Sequence, residues 1–211
     1  MTDGASPSIS SRKEPKQARS EQLVADILAA AAQVLARDGA RRFTTARVAE
    51  KAGVSIGSLY QYFPNKAAIL FRLQKEEWDE TGGMLRAILE DRTLAPRARL
   101  RAVVHAFVQS ECEEAALRLA LSDAAPLYRH APEAREPRVA GTHAMAMFLE
   151  EALPGLATNR RTVASETIIG TLSAMGKRIS EQPLDPAALA ARSEALADML
   201  CSYFDRLAEE R

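Results

Sequence analysis

The stretch Thr44–Lys66, TTARVAEKAGVSIGSLYQYFPNK, holds two short helical patterns, each opened by its own cap and separated by one glycine. Thr44 carries a hydroxyl that can accept a bond from the free N–H groups of a first helical turn, and Ser55 repeats the device. Phe43 stands one residue before the first cap and Val48 at the fourth helical position; Val54 and Leu59 stand in the same relation to Ser55. This is the spacing of a hydrophobic staple. Two stapled caps fix two entry angles, and Gly53 ends the first helix in a tight turn, so the pair is constrained to a helix-turn-helix. The second helix of the pair, about eight residues long, is too short to be stable alone, and neighbouring helices must hold it.

The flanking chain supplies them. A preceding helix is expected from about Ser20 to Asp38, because Leu23, Ile27, Leu28, Ala31, Val34 and Leu35 recur at three- and four-residue steps. Gly39 follows where a left-handed residue is expected. Pro64 stops the helix after Ser55, and Asn65 caps a fourth that opens at Lys66. Ile69, Leu70 and Leu73 keep its period; Gly82-Gly83 interrupts it, which leaves open one long helix or two. Beyond Pro96 the pattern stays helical, with no convincing strand and no internal repeat. Five further helices are expected, around Leu100–Val108, Glu113–Ala124, Arg138–Leu153, Asn159–Ile179 and Asp185–Glu209, with a loop over Pro126–Arg138. Asp185-Pro186 is a cap followed by Pro at the first helical position. The fold class is all-α, about nine helices. The expected division is an arm over 1–18 without apolar period, a helix-turn-helix head over 19–66 and a larger helical body over 67–211.

Composition narrows the class. The chain is 47% hydrophobic and 27% charged, an ordinary globular mix rich in Ala and Leu. No apolar run approaches the roughly 20 residues that cross a bilayer. The first residues lack the apolar stretch of a secretory signal, so a cytoplasmic location is expected. Cys112 and Cys201 are far apart without a CxxC spacing and are expected as reduced thiols. Net charge is zero, yet residues 1–66 carry ten Lys+Arg against six Asp+Glu, and the remainder carries the opposite excess. A basic N-terminal third is a modest electrostatic footprint for a phosphate backbone, and four of its cations, Arg12, Lys13 and Lys16 of the arm and Arg19 beside it, could reach along DNA.

The outer face of the helix after Ser55 offers Ile56, Gly57, Ser58, Gln61 and Tyr62. Its first turn has no bulky residue except Ile56, so the backbone can approach a major-groove floor. Gln61 can pair with a base edge and Ile56 can pack on a thymine methyl. Thr44 and Thr45 stand at a helix start suited to an anion, as does Lys66. Arg47 points outward, within reach of phosphate or base. From about Ile27 to Leu70 the chain resembles the N-terminal domain of the TetR family of bacterial transcriptional regulators. The resemblance rests on AA…VLARDG, then FTTARVAEKAGVSIGSLYQYF and PNK, in order and without a gap. It implies phosphate contacts from Tyr60, Tyr62 and Lys66. The expected DNA-contact set is Thr44, Thr45, Arg47, Ser55, Ile56, Gly57, Ser58, Tyr60, Gln61, Tyr62 and Lys66. Leu59 and Phe63 are core, and Thr44 and Ser55 are caps before they are contacts.

The resemblance also implies a C-terminal body that dimerises and encloses a pocket for a small effector. A dimer face is expected on the last two helices, from Gly170, Ser173 and Ala174 and from the stripe Leu189, Leu196, Leu200, Tyr203 and Leu207, although such faces can equally pack within one subunit. Pocket walls are expected from Trp78, Phe107, Met145, Phe148, Ile168 and Met175, with His105, Cys112, His143 and Thr171 as polar contacts. That lining favours an apolar or aromatic effector. The scattered His and Cys make no metal site, and no nucleophile–base pair or Gly-rich phosphate loop points to an enzyme. The reading is a homodimeric, ligand-released repressor on a palindromic operator. The alternative is an interaction or scaffolding protein with a vestigial head.

Overall fold

The computed structural model describes residues 18–128 and 136–209, and these are all-α. The arm over 1–18, apart from Ala18, and residues 129–135 of the expected loop lie outside the described residues. The described helices are α1 (Ala18–Arg42), α2 (Thr45–Ala52), α3 (Ile56–Tyr62), α4 (Lys66–Glu90), α5 (Pro96–Glu113), α6 (Ala115–Ala124), α7 (Glu136–Ala152), α8 (Thr158–Ser180) and α9 (Pro186–Glu209). A 3-10 turn, Ala125–Leu127, follows α6.

The local signals act as their chemistry requires. Thr44 Oγ1 accepts from Arg47 N at 3.3 Å and Ser55 Oγ from Ser58 N at 3.0 Å. Asn65 Oδ1 takes Ala68 N at 3.0 Å and Asp185 Oδ1 takes Ala188 N at 2.8 Å. Gly53 adopts the left-handed conformation (φ 68°, ψ 27°) that lets its N–H reach back to close α2. Gly39 also has positive φ, but ψ is 168°, an extended conformation open essentially to glycine alone. It therefore breaks α1 sharply after Asp38, and the last residues form a separate turn instead of a left-handed cap. Through Gly82-Gly83, α4 runs on without a break; the helix tolerates them at a propensity cost of about 1 kcal/mol each.

The chain forms two compact units. The first comprises the residues through Trp78 together with Ala116–Glu136, and the second Asp79–Ala115 together with Pro137–Arg211. The first unit thus extends past the boundary expected at residue 66. The reason is apolar: Ala67–Phe71 and Leu73 of α4 are buried with Ile27, Leu35, Phe43, Val48, Leu59 and Phe63 in one core. Ala120, Leu121, Ala124 and Tyr128 complete it, so α6 is part of this unit although it lies far along the chain. Polar groups here are matched. Arg118 and Glu77 pair at 3.0 Å, both largely buried. The Tyr128 hydroxyl donates to the Leu121 carbonyl at 3.1 Å, and burial, reinforced by the Glu77 charge, pushes its ionisation far up.

In the second unit α5 packs on α8 and α9. Its core joins Leu100, Val104 and Phe107 to Met145, Phe148 and Leu149 of α7, Ile168 and Leu172 of α8, and Leu196, Leu200 and Phe204 of α9. Helices α5 and α8 approach so closely that a Cβ on Gly176 would lie 2.5 Å from Cε1 of Phe107. One charge enters this core. Arg99, 2% exposed, donates to the Leu89 carbonyl at 2.7 Å and to Glu151 at 3.0 Å, and its guanidinium lies 5.2 Å from the centre of the Phe148 ring. Cys112 and Cys201 are free thiols. Among the described residues no helix is long and apolar enough to cross a membrane.

Candidate nucleic-acid interface

Helix α3 is anchored from one side and open on the other. Leu59 and Phe63 are fully buried beneath it, while Ile56 (42% exposed) and Tyr60 (39%) stand out with Gly57 and Gln61. Thr44, Arg47, Ser55 and Lys66 are exposed, and Thr45 and Ser58 are half-buried. Ten of the eleven expected contact residues therefore reach solvent. Tyr62 does not: it is 7% exposed and belongs to the core with Leu59 and Phe63. The reason is helical period, since residue 62 lies three beyond the anchor Leu59 and shares its face. Tyr62 is corrected from the outer face to a packing position, with 7% of its surface left exposed.

Several outer groups are already held by neighbours. The Thr45 and Tyr60 hydroxyls lie 3.1 Å apart, which ties α2 to α3 and sets the direction of the Tyr60 ring. Ser55 and Ser58 share a hydroxyl bond of 2.8 Å besides the cap bond. Arg47 folds back over the end of α1, where Nη1 donates to Asp38 Oδ2 at 3.4 Å and to the Arg42 carbonyl at 3.3 Å. Asp38 carries no signal in the sequence that would mark it. It lies nine residues before Arg47, beyond any helical spacing, and only the turn at Gly39 brings it back. Chemically the face presents apolar, aromatic, amide and hydroxyl groups on α3, flanked by the cations Arg47 and Lys66. Such a mix can touch base edges centrally and phosphates at the rim.

The expected effector walls separate. Trp78 packs on the core of the first unit. Met145, Phe148, Ile168 and Phe107 are buried together in the core of the second, and Phe148 stacks on Phe204 at 5.9 Å. Met175 (38% exposed) and His143 lie on the outside, and Thr171 is half-buried. His105 is engaged by α9: Nδ1 meets Ser193 Oγ at 2.7 Å and Nε2 meets Glu194 at 3.1 Å. Arg101 pairs with Glu194 and Asp198 beside it. Cys112 is half-buried at the edge of the core, and burial raises its thiol pKa, with help from the Glu111 and Glu113 charges. A groove of ≈ 410 Å³ does exist in this unit, lined from α4 by Glu80, Thr81 and Met84 and from α5 by Gln109, Ser110 and Glu113 among others, and it contains none of the expected walls. Apolar period alone marks the walls, and it cannot tell a closed core from a lined cavity.

The expected dimer stripe also divides. Leu196, Leu200 and Leu207 are buried in the core of their own subunit, with Leu189 and Tyr203 partly buried against it. Leu196, Leu200 and Leu207 are corrected to intramolecular packing, while Leu189 and Tyr203 keep part of their surface open. Gly170, Ser173 and Ala174 are exposed. Val163 on α8 and Met199 on α9, each 51% exposed, are apolar surface that the stripe does not include.

Among the described residues no group of three His, Cys, Asp or Glu side chains is placed to hold a metal ion.

With this geometry in place, comparison with known proteins is direct. Residues 27–73 match the family model described as bacterial regulatory proteins, tetR family. Residues 95–207, more than half the chain, match that of the tetracyclin repressor-like C-terminal domain. No curated protein matches the sequence. Among solved structures, the fatty acid degradation regulator FadR from Bacillus halodurans superposes with a TM-score of 0.67 at 21% identity, over 89% of this chain and 97% of that one. The transcriptional regulator FadR from Bacillus subtilis, in complex with stearoyl-CoA, gives 0.68 at 21% identity, over 84% and 97%. A TerR/AcrR family regulator from Aquifex aeolicus VF5 gives 0.65 at 16% identity, over 86% and 99%. The stapled pair α2–α3, its open outer face and the match of both family models agree: the chain belongs to the TetR family of bacterial transcriptional regulators and is a DNA-binding protein.

Proposed function

We propose that this regulator acts as a homodimeric repressor released by a small-molecule effector. The observation that carries the DNA side is the open face of α3. Ile56, Gly57, Tyr60 and Gln61 stand in solvent while Leu59 and Phe63 hold the helix from beneath. Gln61 and Ile56 are the base readers, and Thr44, Thr45, Tyr60 and Lys66 set position on phosphates. A reader of this kind gains affinity and register from two copies on half-sites about 34–36 Å apart. The exposed small residues Gly170, Ser173 and Ala174, with Val163 and Met199, are the surface on which a second copy would pack. The effector reading is supported by the Bacillus subtilis relative, whose structure holds stearoyl-CoA. For this chain the effector is a small apolar or aromatic molecule that enters the second unit by parting its core. Release then requires that the effector bind the DNA-incompetent state more tightly than the competent one.

The test is a mobility shift on the DNA flanking the coding region, beside a random duplex of equal length. The expected result is preferential, salt-sensitive retardation of the flanking DNA. Equal retardation of both would sink the sequence-specific reading. Tyr60→Ala and Lys66→Ala weaken binding to every duplex, whereas Gln61→Ala changes the ranking of duplexes. Sedimentation velocity gives a dimer that Ala174→Arg splits. Thermal shift against long-chain acyl-CoA thioesters and apolar aromatics identifies the effector class. A ligand that raises the melting temperature without weakening operator binding argues against release.

A further inference from the structure

Asp38 lies at the centre of three arginines. Its carboxylate takes a two-pronged bond from Arg37, Nε at 2.8 Å and Nη2 at 3.0 Å, and a third bond from Arg47 Nη1 at 3.4 Å. The Arg37 hydrogen bond holds its carboxyl below the usual range; burial opposes it, and the charges of Arg37, Arg47 and Arg42 reinforce it. Exposure is uneven: the Asp38 side chain is only 15% exposed, whereas Arg37 is 70% and Arg47 48% exposed. The cations thus stand toward solvent around an acid tucked among them. Arg47 occupies the first turn of α2, three residues after the cap Thr44. A planar guanidinium binds carboxylate and phosphate oxygens in the same forked geometry.

We propose that Asp38 is an internal stand-in for a DNA phosphate, occupying the arginine cluster in the free protein and holding down affinity for DNA of any sequence. In the wild-type complex Arg47 exchanges Asp38 Oδ2 and the Arg42 carbonyl for a phosphate oxygen only part of the time. The pair is long, at 3.4 Å, and its Arg47 side is exposed, so phosphate can displace it, while the two bonds that Arg47 gives up keep the exchange incomplete. Base contacts on α3 are untouched by it, so the device lowers affinity for every sequence about equally and leaves the ranking of duplexes to α3. This rests on the reading of the head as a DNA binder. The competing role, a purely structural tie between α1 and α2, leaves the number of phosphate contacts unchanged.

The experiment is fluorescence anisotropy of the full chain on a labelled mixed-sequence duplex between 50 and 200 mM salt. The variants are D38N, D38E, R47A and D38N/R47A. Each phosphate contact adds about 0.9 to the slope of log affinity against log salt. A contact made more often in D38N therefore steepens the slope toward that limit, up to an extra loss of about 3.5-fold over this interval, with tighter binding at the low-salt end. D38E keeps the wild-type slope, and R47A cancels the gain in the double variant. A wild-type slope or weaker binding for folded D38N overturns the proposal. Should D38N fail to fold, R47A alone decides: a slope shallower by up to about 0.9 supports it, and an unchanged slope overturns it. A wild-type protein that binds no duplex would overturn the DNA reading and this proposal together, whereas wild-type binding with an indifferent D38N overturns only the proposal.

Discussion

Replacing Gly176 by Ala sets two effects of known sign against each other. In the interior of α8, alanine gains about 1 kcal/mol over glycine, because it restricts the unfolded chain and favours helix. The new Cβ would lie 2.5 Å from Cε1 and 3.0 Å from Cδ1 of Phe107, and 3.2 Å from Cγ of Glu111. Phe107 is 8% exposed and wedged in the core, so its ring has little room to retreat. Such overpacking costs about 1–3 kcal/mol. The overlap therefore wins, for a net loss of about 0–2 kcal/mol, or a few degrees in melting temperature. Gly83 is the control. It is exposed in the interior of α4, and a Cβ added there would meet nothing within 4 Å, so Gly83→Ala gains the propensity term alone, about 1 kcal/mol. Both variants are compared by urea denaturation at fixed protein concentration. Opposite signs are expected, and Phe107→Leu in the Gly176→Ala background recovers part of the loss. Stabilisation by both substitutions to the same degree would refute the close approach of α5 and α8. Destabilisation by Gly83→Ala would refute the continuity of α4.

Ser55→Ala removes the acceptor for Ser58 N–H. It lowers stability by about 1 kcal/mol in chemical denaturation and weakens DNA binding, because α3 is too short to keep its entry angle without a cap. Acidification gives a further check. The hydrogen bond from Arg99 holds the Glu151 carboxyl below its ordinary 4.5; burial opposes it, and the charges of Arg99 and Arg92 reinforce it. A depressed folded-state pKa contributes stability that is complete above the unfolded value and is lost as pH falls through the folded one. Wild-type melting temperature therefore drops on descent below about pH 4.5, and Glu151→Gln, which carries no charge to lose, drops less over the same range.

How much is legible in the sequence depends on range. The caps at Thr44, Ser55, Asn65 and Asp185 each bond a backbone N–H three residues on, so residue type and spacing suffice to place them. The turn at Gly53 and the anchors Leu59 and Phe63 are equally local, so the helix-turn-helix, the all-α class and the family can be read from neighbouring residues alone. Tertiary structure decided what covers each apolar face. A seven-residue stripe shows that Leu196, Leu200 and Leu207 are buried; only packing shows that they are buried against α5 and α8 of the same chain. Period likewise nominates Met145, Phe148 and Ile168 as walls, and side-chain packing closes them into a core. The same holds at the DNA face. Nothing within a helical turn links Arg47 to Asp38 or Thr45 to Tyr60, and it is the break at Gly39 and the crossing of α2 on α3 that join them. Local hydrogen bonding is written in neighbouring residues, whereas hydrophobic burial is non-directional and takes its partner from the fold.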